Sequence, residues 1–185
     1  MSIPDLVHLL ASRSAKRGEF TLASGRPSTL YIDARLTTMS PEGLTIIGSA
    51  GLRALHEARW NVESVGGLTL GADPIAYAIA YTSAATEVPI RAFTVRKEMK
   101  SHGMGRLIEG PFKAGDRVAV IEDVITTGAS ALRAAKAVTD AGGHVIGVLA
   151  VVDREEGGRQ MLEVNGLEVI ALTHASEIVA HMQAP

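Results

Sequence analysis

The residues best suited to chemistry lie in one run, Val118-Ala119-Val120-Ile121-Glu122-Asp123-Val124-Ile125-Thr126-Thr127-Gly128-Ala129-Ser130: two adjacent carboxylates, then hydroxyls around a glycine. Hydroxyls and backbone N–H groups donate to a phosphate, and a glycine lets the chain approach it closely. Carboxylates beside such an anion would repel it, so Glu122 and Asp123 need another purpose. Accepting hydrogen bonds from a ribose diol and holding a metal through water both suit them. A ribose 5-phosphate satisfies both halves of the run. The bland alternative is a strand that ends in a solvated acidic turn, with Thr126 or Thr127 as an ordinary helix N-cap.

Three further groupings add to this. Gly66-Gly67-Leu68-Thr69-Leu70-Gly71-Ala72-Asp73-Pro74 is a second glycine-bearing junction before a helix, a place for another anion. Arg96-Lys97-Glu98-Met99-Lys100-Ser101-His102-Gly103-Met104-Gly105 gathers four potentially cationic side chains in a glycine-rich segment, which suits a lid over an anion or, more plainly, a solvated charged loop. Arg154 follows the apolar run of residues 145–152, and its planar guanidinium can take a ligand carboxylate through two parallel hydrogen bonds. Alternatively it pairs with Asp153, Glu155 or Glu156 on the surface, where such pairs contribute only about 0–1 kcal/mol.

The run from Val118 to Ser130 resembles the phosphoribosyl diphosphate signature of type I phosphoribosyltransferases, and it lacks the Gly-Lys-Ser/Thr ending of a Walker loop. The order Arg-Lys-x-x-Lys-x-His-Gly closely resembles the catalytic loop of the orotate phosphoribosyltransferases. Residues 20–26, with Tyr31-Ile32-Asp33 after them, resemble the same family's N-terminal hood over the pyrimidine. The resemblance implies transfer of a phosphoribosyl group to orotate. It implies Lys100 and His102 as catalytic residues, with Arg96, Lys97, Lys100 and His102 on the diphosphate. It places Glu122 and Asp123 on the ribose, residues 124–130 (Val124, Ile125, Thr126, Thr127, Gly128, Ala129 and Ser130) around the 5-phosphate, and Thr126 and Arg154 on orotate. Magnesium (Mg2+) is implied as an ion carried by the substrate, with no direct protein ligand, and a homodimer whose 96–110 loop reaches the neighbouring site. Two positions depart from the pattern: Ala23 and Gly71 stand where many members carry a basic residue, so backbone and loop must supply more of the pyrophosphate binding.

The elements that must position these residues follow from patterning. The continuous apolar run of residues 118–121 suits a strand covered on both faces, which puts Glu122 and Asp123 near its carboxyl end, where open α/β sheets bind ligands. Extended runs at 64–70, 90–95, 117–121, 145–152 and 169–172 alternate with helical ones at 74–81 and 128–141, and this alternation argues for an α/β fold with a mostly parallel central sheet. Residues 41–59 form the first large helix, with Ser40 as N-cap and Pro41 in the first turn. Before it, a helix over 4–12 and two extended pieces at 20–22 and 30–32 make a hood of about residues 1–40 on a core of 41–185.

The 185 residues suit one catalytic domain, and a formal net charge of −2 gives no polycationic surface for nucleic acid. The absence of cysteine excludes disulfides, thiolate nucleophiles and cysteine zinc sites. No basic leader and no run of about 18 apolar residues occurs, so a soluble cytoplasmic protein without membrane contact is expected. A non-catalytic sensor of the activated sugar would share the phosphate run, and a purine phosphoribosyltransferase would share the fold; the lid, the hood and Arg154 favour orotate.

Overall fold

The computed structural model describes residues 2–21, 25, 27–98 and 107–182. Helix α1 (Ile3–Leu9) starts where the Asp5 carboxylate accepts from the Ser2 backbone N–H at 2.6 Å, and it continues into a π-helical turn over Leu10–Ser14. Leu6 and Leu10 are fully buried. Strands β1 (Ala15–Thr21) and β2 (Pro27–Ile32) form an antiparallel ribbon in which Ala15 pairs with Ile32 and Thr21 with Pro27. Both are longer than the pieces expected from apolar content, because Lys16, Arg17 and Glu19 are exposed and backbone pairing holds them in line. The short α2 (Arg35–Thr38) follows, then α3 (Pro41–Glu57), whose N-cap Ser40 accepts from the Gly43 N–H at 3.1 Å. The expected cap and first-turn proline of α3 are thus both in place.

The remaining elements are β3 (Ser64–Leu68), α4 (Ala72–Ser83), β4 (Arg91–Val95), β5 (Ile108–Glu109), β6 (Arg117–Ile125), α5 (Ala129–Asp140), β7 (His144–Asp153), α6 (Gly158–Val164), β8 (Glu168–His174) and α7 (Ala175–His181). They build a six-stranded sheet in the order β5-β4-β3-β6-β7-β8, parallel except for β5. The expected mostly parallel sheet is present. Alternate residues of the central strands feed opposite faces: Ala119, Ile121, Leu149 and Val151 pack towards α3 and α4, and Val118, Val120, Val148 and Ala150 towards α5. All eight are within 1% of complete burial. Each fully buried Val, Leu or Ile side chain contributes roughly 1.5–3 kcal/mol from burial, so these two layers fix the sheet and with it the strand tips.

Connections run outward from the middle of this order. The chain passes from β3 to β4 on one side and from β6 to β7 and β8 on the other, so β3 and β6 flank a topological switch point, where a crevice opens beyond their carboxyl ends. Strand β6 continues four residues past the expected end at Ile121. Its backbone keeps pairing with β7 through the acids, Glu122 opposite Ala150 and Ile125 opposite Asp153.

Candidate active site

At the switch point lies a cavity of about 330 Å³ lined by the tips of β3 and β6, the residues after β2 and the end of β7. It brings together Lys97, Glu122, Asp123, Val124, Thr126, Ser130 and Arg154 from the expected set, with Tyr31 to Arg35 from the hood side and Leu68 to Gly71 from the second glycine junction. Other members of the set stand elsewhere. Ile125 is 1% exposed with its side chain in the core, so the backbone alone remains for a ligand, and its carbonyl already accepts from the Arg154 N–H at 2.9 Å. Thr127, Gly128 and Ala129 make the turn into α5 without lining the cavity. There Gly128 adopts φ 80°, a left-handed conformation that a side chain disfavours. Arg96 lines a neighbouring depression with Thr69, Thr94, Lys97, Glu98 and Glu109, and its Nη1 lies 3.6 Å from the Glu109 carboxylate. Lys100 and His102, with Ala23 of the hood, lie outside the described residues.

The acid pair is electrostatically asymmetric. Glu122 is buried at 8% exposure, and burial first, then the neighbouring Asp123 charge, push its carboxyl well above the usual range. Asp123 is half-buried and accepts from the Val124 backbone N–H at 2.8 Å. A Cβ on Gly71 would sit 2.5 Å from the Asp123 carboxylate, so the glycine junction and the acid tip touch directly.

The Thr69–Leu70 peptide in that junction is cis. Its position is tied down by Asp73, which accepts from the Thr69 hydroxyl at 2.6 Å and the Thr94 hydroxyl at 2.8 Å. The side chain of Thr94 is in turn 2.8 Å from the Tyr77 hydroxyl. These bonds tie the loop after β3 to α4 and β4.

Arg154 is buried, not on the surface. Its Nη2 donates to Ser28 Oγ at 3.2 Å, to the Leu30 carbonyl at 3.1 Å and to Glu156, while Nε is buried without a partner among the described residues. The pairing with Glu156 thus exists but leaves donor capacity at the cavity. Asp153 pairs instead with Arg159 at 2.9 Å, and Glu155 accepts from the Ser176 N–H at the start of α7. Sequence reasoning missed Ala34 and Arg35 in the lining. An acid and a base two residues apart, Asp33 and Arg35, directly after the hairpin were the available signal.

No protein-family model matches the chain. An orotate phosphoribosyltransferase of Aquifex aeolicus is 50% identical over 177 residues, 94% of this chain and 96% of the relative. The crystal structure of Mycobacterium tuberculosis orotate phosphoribosyltransferase in complex with 5-phospho-α-D-ribosyl 1-diphosphate superposes with a TM-score of 0.80 at 40% identity, covering 96% of this chain and 98% of that one. Adenine phosphoribosyltransferase of Leishmania donovani, at 16% identity and TM-score 0.67, shares the fold alone. On this similarity over nearly its whole length, and with its type I phosphoribosyltransferase fold, the chain belongs to the orotate phosphoribosyltransferase family.

Proposed function

We propose that the chain transfers the 5-phosphoribosyl group from 5-phospho-α-D-ribose 1-diphosphate to orotate, giving orotidine 5′-monophosphate and pyrophosphate in pyrimidine nucleotide synthesis. One observation carries this reading: a single cavity is lined by the incompletely bonded guanidinium of Arg154, the acid pair Glu122 and Asp123, and the hydroxyls of Thr126 and Ser130. Those groups match, in turn, a carboxylate-bearing base, a ribose diol and a 5-phosphate.

In the reaction the bond from C1 of the sugar to the diphosphate oxygen breaks, and its electron pair leaves with the diphosphate. The orotate nitrogen, having lost its proton, forms the new bond to C1. Positive charge develops on the sugar ring and negative charge on the leaving group, so positioning and electrostatic stabilisation are what the protein must supply. Arg154 and Thr126 orient orotate, Glu122 and Asp123 hold the ribose hydroxyls, and the turn from Thr126 to Ser130 holds the 5-phosphate. Arg96, Lys97, Lys100 and His102 stabilise the departing diphosphate, with Lys100 and His102 in the catalytic role.

Among the described residues no three His, Asp or Glu side chains gather as a metal cage. The donors present fit a magnesium ion that brings its own ligands, since magnesium keeps several waters and binds through one or two carboxylates plus substrate phosphates. Asp123, the more exposed of the pair, would meet it through water. Such an ion neutralises charge on the leaving group. A homodimer in the cytoplasm, with residues 96–110 of each copy reaching the other's site and residues 1–40 forming the hood over a 41–185 core, completes the proposal. Among the described residues no helix is long and apolar enough to cross a membrane.

The test supplies phosphoribosyl diphosphate and magnesium with orotate, uracil, adenine or hypoxanthine and follows pyrophosphate release. Turnover confined to orotate is expected. Turnover with a purine, or binding of the sugar without turnover, would replace the reading with a different one.

A further inference from the structure

We propose that Arg35 is a further substrate-binding residue, a guanidinium that grips the diphosphate of the activated sugar opposite the Leu68–Gly71 junction. The inference rests on the function proposed above and adds to it a residue that the functional reading leaves without a role.

Among the described residues lining the main cavity, the cations are Arg35, Lys97 and Arg154. Arg154 is bonded to Ser28 and Leu30 on β2, which assigns it to the base end. The junction at residues 68–71 contributes backbone donors and no cation. Nor can it gain one without rearrangement, because the Asp123 carboxylate occupies the space beside Gly71 into which a side chain would start. A diphosphate beside that junction therefore depends on cations brought in from other elements, Lys97 from after β4 and Arg35 from after β2.

Arg35 stands there already shaped for the task. Its Nε donates to Asp33 Oδ1 at 2.8 Å and its Nη2 to Oδ2 at 2.9 Å, and its backbone N–H reaches Oδ1 at 3.2 Å. This two-point clamp fixes the plane of the guanidinium, so little rotamer freedom remains to be lost when a ligand binds. Nη1 has no partner among the described residues, and the side chain is 47% exposed. Asp33 first, with smaller contributions that include Asp123, holds the Arg35 proton more tightly than usual, which places the cation in the field of the same acid that touches Gly71. Arg35, Asp123 and Gly71 thus line the same cavity.

The experiment compares Arg35→Ala, Arg35→Lys and Asp33→Asn with the wild type by steady-state kinetics and by titration with inorganic pyrophosphate and with ribose 5-phosphate. For Arg35→Ala the KM for phosphoribosyl diphosphate should rise about 10- to 100-fold and pyrophosphate affinity should fall in parallel. The KM for orotate and the affinity for ribose 5-phosphate should stay within about twofold, since neither carries a diphosphate. Arg35→Lys should recover part of the loss, and Asp33→Asn, which frees the guanidinium without removing it, should fall between. Unchanged pyrophosphate affinity in folded Arg35→Ala and Arg35→Lys overturns the inference, and so does a loss confined to orotate, which would move Arg35 to the base end. A wild type that neither binds nor turns over phosphoribosyl diphosphate defeats the underlying function itself, a result distinct from either of these.

Discussion

Arg154 donates through Nη2 to Ser28 Oγ at 3.2 Å across a sequence separation of 126 residues, tying the end of β7 to the hood ribbon. The same nitrogen reaches the Leu30 carbonyl, so one guanidinium both anchors the ribbon and lines the cavity. The residue proposed to meet the base is thus also the one that holds the ribbon in place.

Replacing Arg154 with alanine should weaken orotate binding by about 2–5 kcal/mol, the cost of leaving a desolvated carboxylate without its partner. Phosphoribosyl diphosphate, whose proposed contacts lie on other elements, should lose much less. Separate titrations of the two substrates read the difference, with thermal unfolding run alongside because the hood loses an anchor. Equal losses for both ligands in a folded variant would contradict the assignment of Arg154 to orotate.

Glu122 makes a prediction about pH. Its carboxyl in the folded chain titrates well above the ordinary 4.5, through burial and then the Asp123 charge. A raised folded-state value means that the unfolded chain releases the proton first, so this group's contribution to stability is complete below about 4.5 and is lost as pH rises through the shifted value. Glu122→Gln is neutral throughout and should not show that loss. Urea unfolding across the pH range should find the variant gaining on wild type as pH rises from the acidic end, while its affinity for phosphoribosyl diphosphate falls. A stability difference independent of pH would show that Glu122 is not held protonated by the fold.

Lys100, in the cationic segment after Arg96 and Lys97, is expected to act on the leaving diphosphate. Lys100→Ala should lower kcat by a factor on the order of 100 or more, the scale of losing one stabilising group at a developing charge. Its melting temperature should match the wild type. Normal turnover in the folded variant would remove Lys100 from the catalytic role.

How far these groups could be read from the sequence depended on what kind of force places each one. The run of residues 118–121 announced a doubly covered strand, and the acids after it announced a site, because burial on both faces leaves an unbroken apolar signature. Strand β6 nonetheless continued to Ile125, since its last residues are held by backbone pairing with β7, which side-chain hydropathy does not record. Helices α6 and α7 went unseen for a related reason: each is seven residues long and is pinned by few buried apolar side chains, Leu162 in one and Ala175 and Ile178 in the other. Arg154 was legible as a candidate carboxylate binder, but its burial was not, because Ser28 and Leu30 reach it from the far end of the chain. Arg35 stayed hidden because the cavity it lines with Gly71 and Asp123 exists only once the ribbon folds over the sheet.

Gly71 offers the most direct test of its contact with Asp123. An alanine there would place its Cβ 2.5 Å from both the Asp123 carboxylate carbon and Oδ2, closer than atoms can stand, so either Asp123 or the junction must shift. Asp123 is the part free to give, because the junction is braced from below by Asp73, Thr69 and Thr94. Overpacking of this kind typically costs about 1–3 kcal/mol. Here much of that cost should appear as weakened substrate binding, since the displaced carboxylate is one proposed to meet the ribose. Gly71→Ala should therefore raise the KM for phosphoribosyl diphosphate roughly tenfold, with a smaller change for orotate and a modest fall in melting temperature. A crystal structure of the variant should show the Asp123 side chain rotated away from residue 71. Wild-type affinity for the sugar together with an unmoved Asp123 would mean that the junction yields instead, and that its contact with the acid tip does not set the geometry of the site.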